Sequence, residues 1–521
     1  MPTLSAMDLA MFMLESPERP FNIGPLVLLR PPATAKPEAF ADKLRAQLLK
    51  RPPGPPFNYR LKMSLLEAPA VVPMAEPELK RHVHRLTLDG ASMPQLLDKV
   101  CALHEPVLDR SGLLWQFWII DGLADGRVAL YGKVHHGIID GRTFVKAVTQ
   151  WLSPDAKDKE VRAMWDGVER SGAAERQRAG LVQQLLKGGA MATGLLRTGA
   201  GMAGLVAEQG LRSAGLSQGL PLPFLKVPGV FEGKLSAKRS FAFCTLPLAE
   251  MKALGKAHGA TVNDLLLTVL DIAMHGYLAE RGKTIAQALV ADMPVALSAG
   301  AKGEVKGGNQ IAVLQFPLGA GNASVLQRLD KIRAETAQLK ASLGKRGSDT
   351  VMLYTTLVHA LPILVERFAA QAAPMHSNLL VSNPFGVDGQ RWLMGAAVEL
   401  VLPVSVIAAG HKLNVTAVSL GDRLQLGFLA MPDAVPQLER LAQLTEQAFE
   451  EIAAALPPTV VPVAPAPSPR TRRAGSPATP AAKAAATSAT ARAAARRVAD
   501  PAPKPRRAGP VARRPRVPLA A

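Results

Sequence analysis

The sequence predicts an α/β body of two similar-sized domains followed by a disordered tail, and three observations carry that prediction. Strand-like and helix-like runs are interleaved in both halves of the first 456 residues, as in layered α/β domains. A Gly- and Ala-rich stretch separates the halves. The last 65 residues hold 14 of the 43 prolines and no aromatic residue, a composition that cannot build a core. The expected divisions are therefore 1–178, a helical linker at 179–234, 235–456, and a tail at 457–521.

In the first half, GRVALYGKV (Gly126 to Val134) has the β-branched and apolar content of a strand. Thr143 to Leu152 follows as a helix, with Phe144, Val148 and Trp151 on one face. The second half opens with a strand at Ser240 to Leu246. Thr261 to Arg281 is apolar almost all round and closed by Gly282, which predicts a buried helix. Ala288 to Leu297 reads as a strand. Ser324 to Gly344 reads as a surface helix with Val325, Leu329, Ile332, Leu339 and Leu343 on one face and Thr336 as that face's one polar member. Ser324 suits its N-cap and Gly344 its C-terminal stop. Further strands are expected at Asn378 to Ser382, Ala397 to Ala408, Leu413 to Leu420 and Leu424 to Ala430, and a last helix at Pro436 to Leu456.

The net charge of +19 is unevenly placed. Thirteen Lys or Arg and one acid, Asp500, lie in the tail, so the tail carries +12 and the body only +7. Two cysteines, Cys101 and Cys244, exclude a disulfide framework and a Cys-x-x-Cys metal site, and point to a cytoplasmic setting. The first twenty residues place Asp8 and Glu15 inside an apolar stretch with no basic region ahead, unlike a secretory signal. No run of 18 apolar residues exists, so no spanning helix is expected. Gly180 to Gly215 mixes Leu, Ala, Met and Gly with sparse charge. That composition suits a helical linker packed on the protein better than an amphipathic pair on a bilayer surface.

The chemistry concentrates in Val134-His135-His136-Gly137-Ile138-Ile139-Asp140-Gly141, where a strand ends and a helix begins. Adjacent strand residues point to opposite faces, so only one histidine can face a given cavity. If the strand phase continues, His136 falls in line with Val128, Leu130, Gly132 and Val134 on the more apolar face. An imidazole there can act as a general base near neutral pH, or be a hydrogen-bonded core residue; the joint pattern favours the base. Asp140 stands where the next helix needs its N-cap, and Gly141 permits an unusual backbone angle.

With its surroundings, LLWQFWIIDGLADGRVALYGKVHHGIIDG, this motif resembles the bacterial wax ester synthase/diacylglycerol acyltransferase family, within the CoA-dependent acyltransferases that share HHxxxDG. LSAMDLAMFMLESPERPFNIGPLVLL is similar to the family's opening segment. GATVNDLLLTVLDIAMHGYLAERG resembles its Asn-Asp block, and MPVAL, GGNQIAV and LLVSNPFG resemble later blocks. The likeness covers most of the first 456 residues. It implies a two-domain, chloramphenicol-acetyltransferase-like fold with an active-site tunnel between the halves, acyl-CoA entering from one side and the alcohol from the other.

Carried over by position, His136 matches the family's catalytic base and His135 the supporting histidine before it, while Asp140 and Gly141 match the motif's structural pair. Asn263 and Asp264 match the Asn-Asp block as substrate-binding candidates, although Thr261 with Asp264 also fits a capping box. Asn309, Ser382 and Asn383 are weaker candidates, because Asn beside Gly or Pro is ordinary turn chemistry. Leu113, where the family often has Pro, Asn22, where it often has His, and the run Pro384 to Val387 depart from the pattern. They are expected to touch pocket walls and hence substrate preference.

The implied reaction has His136 take the proton of a diacylglycerol or long-chain alcohol hydroxyl, which attacks the acyl-CoA thioester. Acyl-CoA is a co-substrate, and neither cofactor nor metal is required. The oxyanion needs a donor worth roughly 3 kcal/mol, with Asn263 or a backbone N–H as candidates. A peptide-condensation enzyme shares HHxxxDG but predicts neighbouring carrier domains with a serine attachment site, which the Ala/Pro/Arg-rich tail does not offer. An inactive lipid-body or polyanion-binding protein is the second alternative, and the intact motif argues against it. The expected place of work is the cytoplasm, peripheral on the inner face of the membrane or on lipid bodies. The tail's charge suits anionic lipid or nucleic acid, with attraction that falls as salt rises.

Overall fold

The computed structural model describes residues 6–63, 69–168, 227–296, 311–344, 377–383 and 386–456. All of these fall within the unit Met1–Thr459. The Gly180 to Gly215 segment, Asn309, Pro384, Phe385 and the tail lie outside the described residues.

The first half contributes α1 (Ala6–Leu14), β1 (Asn22–Arg30), α2 (Pro37–Leu48), β2 (Tyr59–Lys62), β3 (Ala70–Pro73), β4 (Val83–Ala91), α3 (Met93–His104), β5 (Trp115–Leu123), β6 (Val128–His135) and α4 (Gly141–Trp151). The second contributes β7 (Ser240–Pro247), α5 (Leu248–Ala257), α6 (Val262–Ala279), β8 (Val290–Ala296), β9 (Ile311–Pro317), α7 (Val325–Gly344) and β10 (Leu379–Ser382). It ends with β11 (Trp392–Leu393), β12 (Ala396–Val404), β13 (Leu413–Leu420), β14 (Arg423–Ala430) and α8 (Leu438–Ala455). The elements expected from periodicity all form, with bounds moved by a few residues. The largest move is at β12, which stops at Val404 rather than Ala408. Side chains explain it: the carbonyls of Ser405, Val406 and Ile407 bond His104, Asn414 and Arg19 instead of a neighbouring strand.

Two mixed sheets result. One runs β11-β12-β1-β6-β5-β4 and the other β7-β14-β13-β10-β8-β9. The first half supplies only four strands of the first sheet, because β11 and β12 come from the second half, β12 pairing antiparallel with β1 and β11 with β12 at the edge. No periodicity announces that exchange, since the alternation of β12 suits a place in either sheet.

Each sheet's alternation divides its side chains between two cores. On β1 and β6, Leu26, Leu28, Ala129 and Tyr131 join the core shared with α3, α6 and α8. Val27, Leu29, Val128 and Leu130 face the other way, toward α2, α4 and three buried tryptophans, Trp115, Trp151 and Trp165. The rings of Trp115 and Trp165 stack at 4.6 Å, and Phe117 meets Trp151 and Trp165 edge-on. Where β12 crosses β14, Gln425 Oε1 accepts the Val401 N–H at 2.6 Å. Gly427 is required there, because a Cβ would stand 2.3 Å from the Pro403 carbonyl oxygen.

Against the core shared with α3, α6 and α8, α7 buries Leu329 and Ile332, and Leu339 is buried on the same face, as its spacing predicts. Its polar member, Thr336, is 4% exposed and donates to Asp264 Oδ1 of α6 at 2.7 Å. A buried hydroxyl without such an acceptor would cost about 1–3 kcal/mol.

Candidate active site

β6 ends at His135, and the strand phase does not carry on into His136. Residues His136–Ile138 form a single helical turn, so the turn and not the pleat aims His136. Three contacts set that turn. The His136 N–H donates to the Phe21 carbonyl at 2.8 Å. The Gly137 N–H donates to His135 Nδ1 at 3.0 Å. The His135 ring lies flat on Phe12, centroids 4.0 Å apart and planes 2° from parallel. Position 137 must be glycine for this to fit, since a Cβ would meet Phe12 at 2.7 Å and the His135 ring at 3.0 Å.

The two histidines are thereby separated. His135 is fully buried, and its Nδ1 accepts a hydrogen bond, so the proton sits on Nε2, which faces Glu15 Oε1 at 3.5 Å. Burial pushes the His135 pKa down, and Glu15 only partly offsets that. Burial also opposes the charge of Glu15, but His135, the Phe21 N–H and Arg110 together hold its carboxyl below the ordinary range. His136 instead lines a cavity of about 100 Å³. Its Nδ1 is buried without a hydrogen-bond partner.

Both sheets and α4 form the cavity wall. Ile23, Gly24 and Pro25 of β1, Gly141, Phe144, Val145 and Val148 of α4, and Val401, Pro403 and Val404 of β12 meet Ser382, Thr416 and Val418 of the second sheet. Among the described lining residues His136 alone has a titratable side chain; the other polar ones are Ser382, Ser405 and Thr416. Thr416 donates to Asn414 Oδ1 at 2.9 Å. The Ser405 carbonyl accepts from His104 Nε2 at 2.9 Å, and Tyr131 Oη lies 2.6 Å from His104 Nδ1. Burial and the neighbouring Lys133 and Arg239 charges push His104 down to about 3, so that wall is held by a neutral imidazole.

The other predicted residues separate by place. Asp140 caps α4, its carboxylate accepting the Thr143 N–H at 2.9 Å and hydroxyl at 2.7 Å. Gly141 and Ser382 line the cavity with His136. Asn263 and Asn383 bond each other, the Asn383 amide donating to Asn263 Oδ1 at 2.8 Å, outside the lining set. Asp264 is 5% exposed and spends its carboxylate on a capping box with Thr261 and on Thr336, so the structure does not bring it to the cavity. The departures at Asn22 and Leu113 are core residues rather than pocket walls: Asn22 donates to the His104 and Pro106 carbonyls behind α3, and Leu113 is 1% exposed. Val387 does line the cavity. Nothing in the sequence marks Phe12 or Glu15 as part of the site, because an acid inside an apolar stretch signals only that the stretch is unlike a leader peptide.

A cavity between two mixed sheets, with a histidine from an HHxxxDG turn in its wall, defines the HHxxxDG acyltransferase class. Within it, residues 4–266 match the wax ester synthase/diacylglycerol acyltransferase catalytic domain and residues 307–453 the C-terminal domain of the same family. The chain belongs to that family and is an acyltransferase. It is 32% identical over 466 residues to the probable diacylglycerol O-acyltransferase Tgs4 of Mycobacterium tuberculosis, covering 87% of this chain and 96% of that one. The probable diacylglycerol O-acyltransferase tgs2 of the same organism is 29% identical over 452 residues, 85% and 97% of the two chains. The fold is shared with the wax ester synthase/diacylglycerol acyltransferase of Marinobacter aquaeolei VT8, at TM-score 0.63 and 23% identity over 87% of this chain and 99% of that one.

Proposed function

We propose that this protein transfers a long-chain acyl group from acyl-CoA to the hydroxyl of a diacylglycerol, with His136 as general base. The observation that carries the reading is that His136 is the single titratable side chain in the wall of the described cavity, while the rest of the lining is mostly apolar. An acyl chain favours such walls, at roughly 0.8 kcal/mol for each buried methylene. His136 accepts the acceptor's hydroxyl proton as that oxygen bonds the thioester carbonyl carbon. The tetrahedral intermediate then expels the CoA sulfur, and the imidazolium returns the proton to it. His135 and Asp140 work from behind, holding the turn and the helix that follow each other around the base. The names of the mycobacterial relatives support diacylglycerol as acceptor, and the family's name adds long-chain alcohols.

Such acceptors reside in bilayers and lipid droplets, and among the described residues no helix is long and apolar enough to cross a membrane. Access from the surface, as a peripheral protein, fits both facts. The tail's thirteen cations suit attraction to anionic headgroups or to nucleic acid. Removal of residues 457–521 should lower binding to anionic vesicles or to DNA at low salt.

The reading is tested with labelled palmitoyl-CoA offered with diacylglycerol or with hexadecanol. Labelled triacylglycerol is the expected product. No ester with either acceptor would overturn it.

A further inference from the structure

The N-terminal segment that ends α1 makes contacts whose purpose is not to close a core. Glu15 lies in it with its side chain 1% exposed. Its Oε2 accepts from Arg110 Nη2 at 3.0 Å, and that same nitrogen donates to the Phe12 carbonyl at 2.8 Å. Its Oε1 accepts the Phe21 N–H at 3.0 Å and stands 3.5 Å from His135 Nε2. Two chains of contact therefore lead from one carboxylate to one turn. Through Phe21, whose N–H it holds and whose carbonyl takes the His136 N–H, Glu15 fixes the backbone of His136. Through His135 it faces the protonated nitrogen of the ring whose other nitrogen accepts the Gly137 N–H.

A carboxylate taken out of water is costly unless it is paired and hydrogen-bonded. Here the partners are one guanidinium, one backbone N–H and the edge of one imidazole. An apolar residue in the same place would avoid that cost, but it would leave the Phe21 N–H without an acceptor and remove the carboxylate that faces His135 Nε2 at 3.5 Å. The arrangement orients rather than simply packs.

We propose that Glu15 is the positioning residue of this active site, holding the turn that presents His136 to the cavity by way of Phe21 and His135. The proposal rests on His136 being the base. A shift of about 1 Å in a reacting group can cost on the order of 100-fold in rate, which sets the size of the effect.

The test uses the full chain with Glu15→Ala and Glu15→Gln, read by steady-state kinetics with palmitoyl-CoA and diacylglycerol, and by amide hydrogen exchange of peptides spanning the 135–141 turn. Glu15→Ala is expected to lower kcat about 100-fold, to leave KM for palmitoyl-CoA within about twofold, and to speed exchange in the turn. Glu15→Gln keeps an acceptor for the Phe21 N–H and should recover about tenfold of that loss. A Glu15→Ala protein with kcat within about threefold of wild type, or with unchanged exchange, would overturn the proposal. Should Glu15→Ala fail to fold, the same two readings on Glu15→Gln decide it, with wild-type kcat and exchange counting against it. His136→Ala measured alongside keeps the two claims apart: full activity there removes the base, while the exchange of the turn in the Glu15 variants still judges Glu15.

Discussion

His135-His136 in the first half and Asn263-Asp264 in the second are both adjacent polar pairs, and the fold splits each of them. In the first pair His135 is buried on Phe12 and holds the Gly137 N–H, while His136 reaches the cavity. In the second Asp264 is buried under Thr261 and Thr336, while Asn263 is exposed and bonded to Asn383. Neighbouring residues point in different directions, so one short motif can supply both a scaffold group and an accessible one. The difference between the pairs lies in what the accessible member reaches. His136 enters a mostly apolar cavity, whereas Asn263 meets another amide beside it.

Breaking the scaffold members should therefore show as lost stability, graded by what each one holds. The largest loss is expected for His135→Ala, which removes a stacked, fully buried ring and the acceptor of the Gly137 N–H; about 4 kcal/mol in urea unfolding is the expected scale. Next comes the buried imidazole behind Ser405. The folded pKa of His104, about 3, lies below the unfolded value near 6.5, so the unfolded chain binds the extra proton first. Stability should fall as pH drops from about 6.5 toward 3, by about 3 kcal/mol near pH 4, and His104→Gln should flatten that slope in acid unfolding curves. A curve as steep in the variant as in the wild type would show that the acid sensitivity arises elsewhere.

Asp264→Ala should cost about 2 kcal/mol, through the lost cap and the lost buried hydrogen bond from Thr336, against less than about 0.5 kcal/mol for Asn263→Ala. The reverse order in thermal unfolding would undo the assignment of roles within that pair. Among the scaffold members the smallest effect is expected at Asp140, whose replacement by Ala removes one N-cap, about 1 kcal/mol; circular dichroism melting is sensitive enough to detect it.

Much of this was legible in the sequence, and the reasons it stopped are specific. Periodicity located the helices Thr261 to Arg281 and Ser324 to Gly344, because an apolar stripe and a capping residue are local properties. It located β12 as well, yet could not say that this strand would join the other half's sheet, since partner choice depends on residues more than 350 positions apart in β1. The HHxxxDG motif marked the site. Which histidine turns inward was reached by extending the strand one residue too far, and the fold attains the same placement through a helical turn. Glu15 stayed hidden because its partners, Phe21, Arg110 and His135, converge only in three dimensions. Asp264 was ambiguous in the sequence between ligand binding and capping, and Thr336, 72 residues away, fills the remaining carboxylate oxygen.

The proposed division of labour gives the chemistry to His136 and the structure to His135. It is tested most directly by the single-turnover rate of labelled acyl transfer to diacylglycerol by His136→Ala, with the unfolding midpoint measured on the same protein. A rate lowered about 1000-fold, at an unchanged midpoint, is the predicted result. Acyl transfer within tenfold of wild type would contradict it.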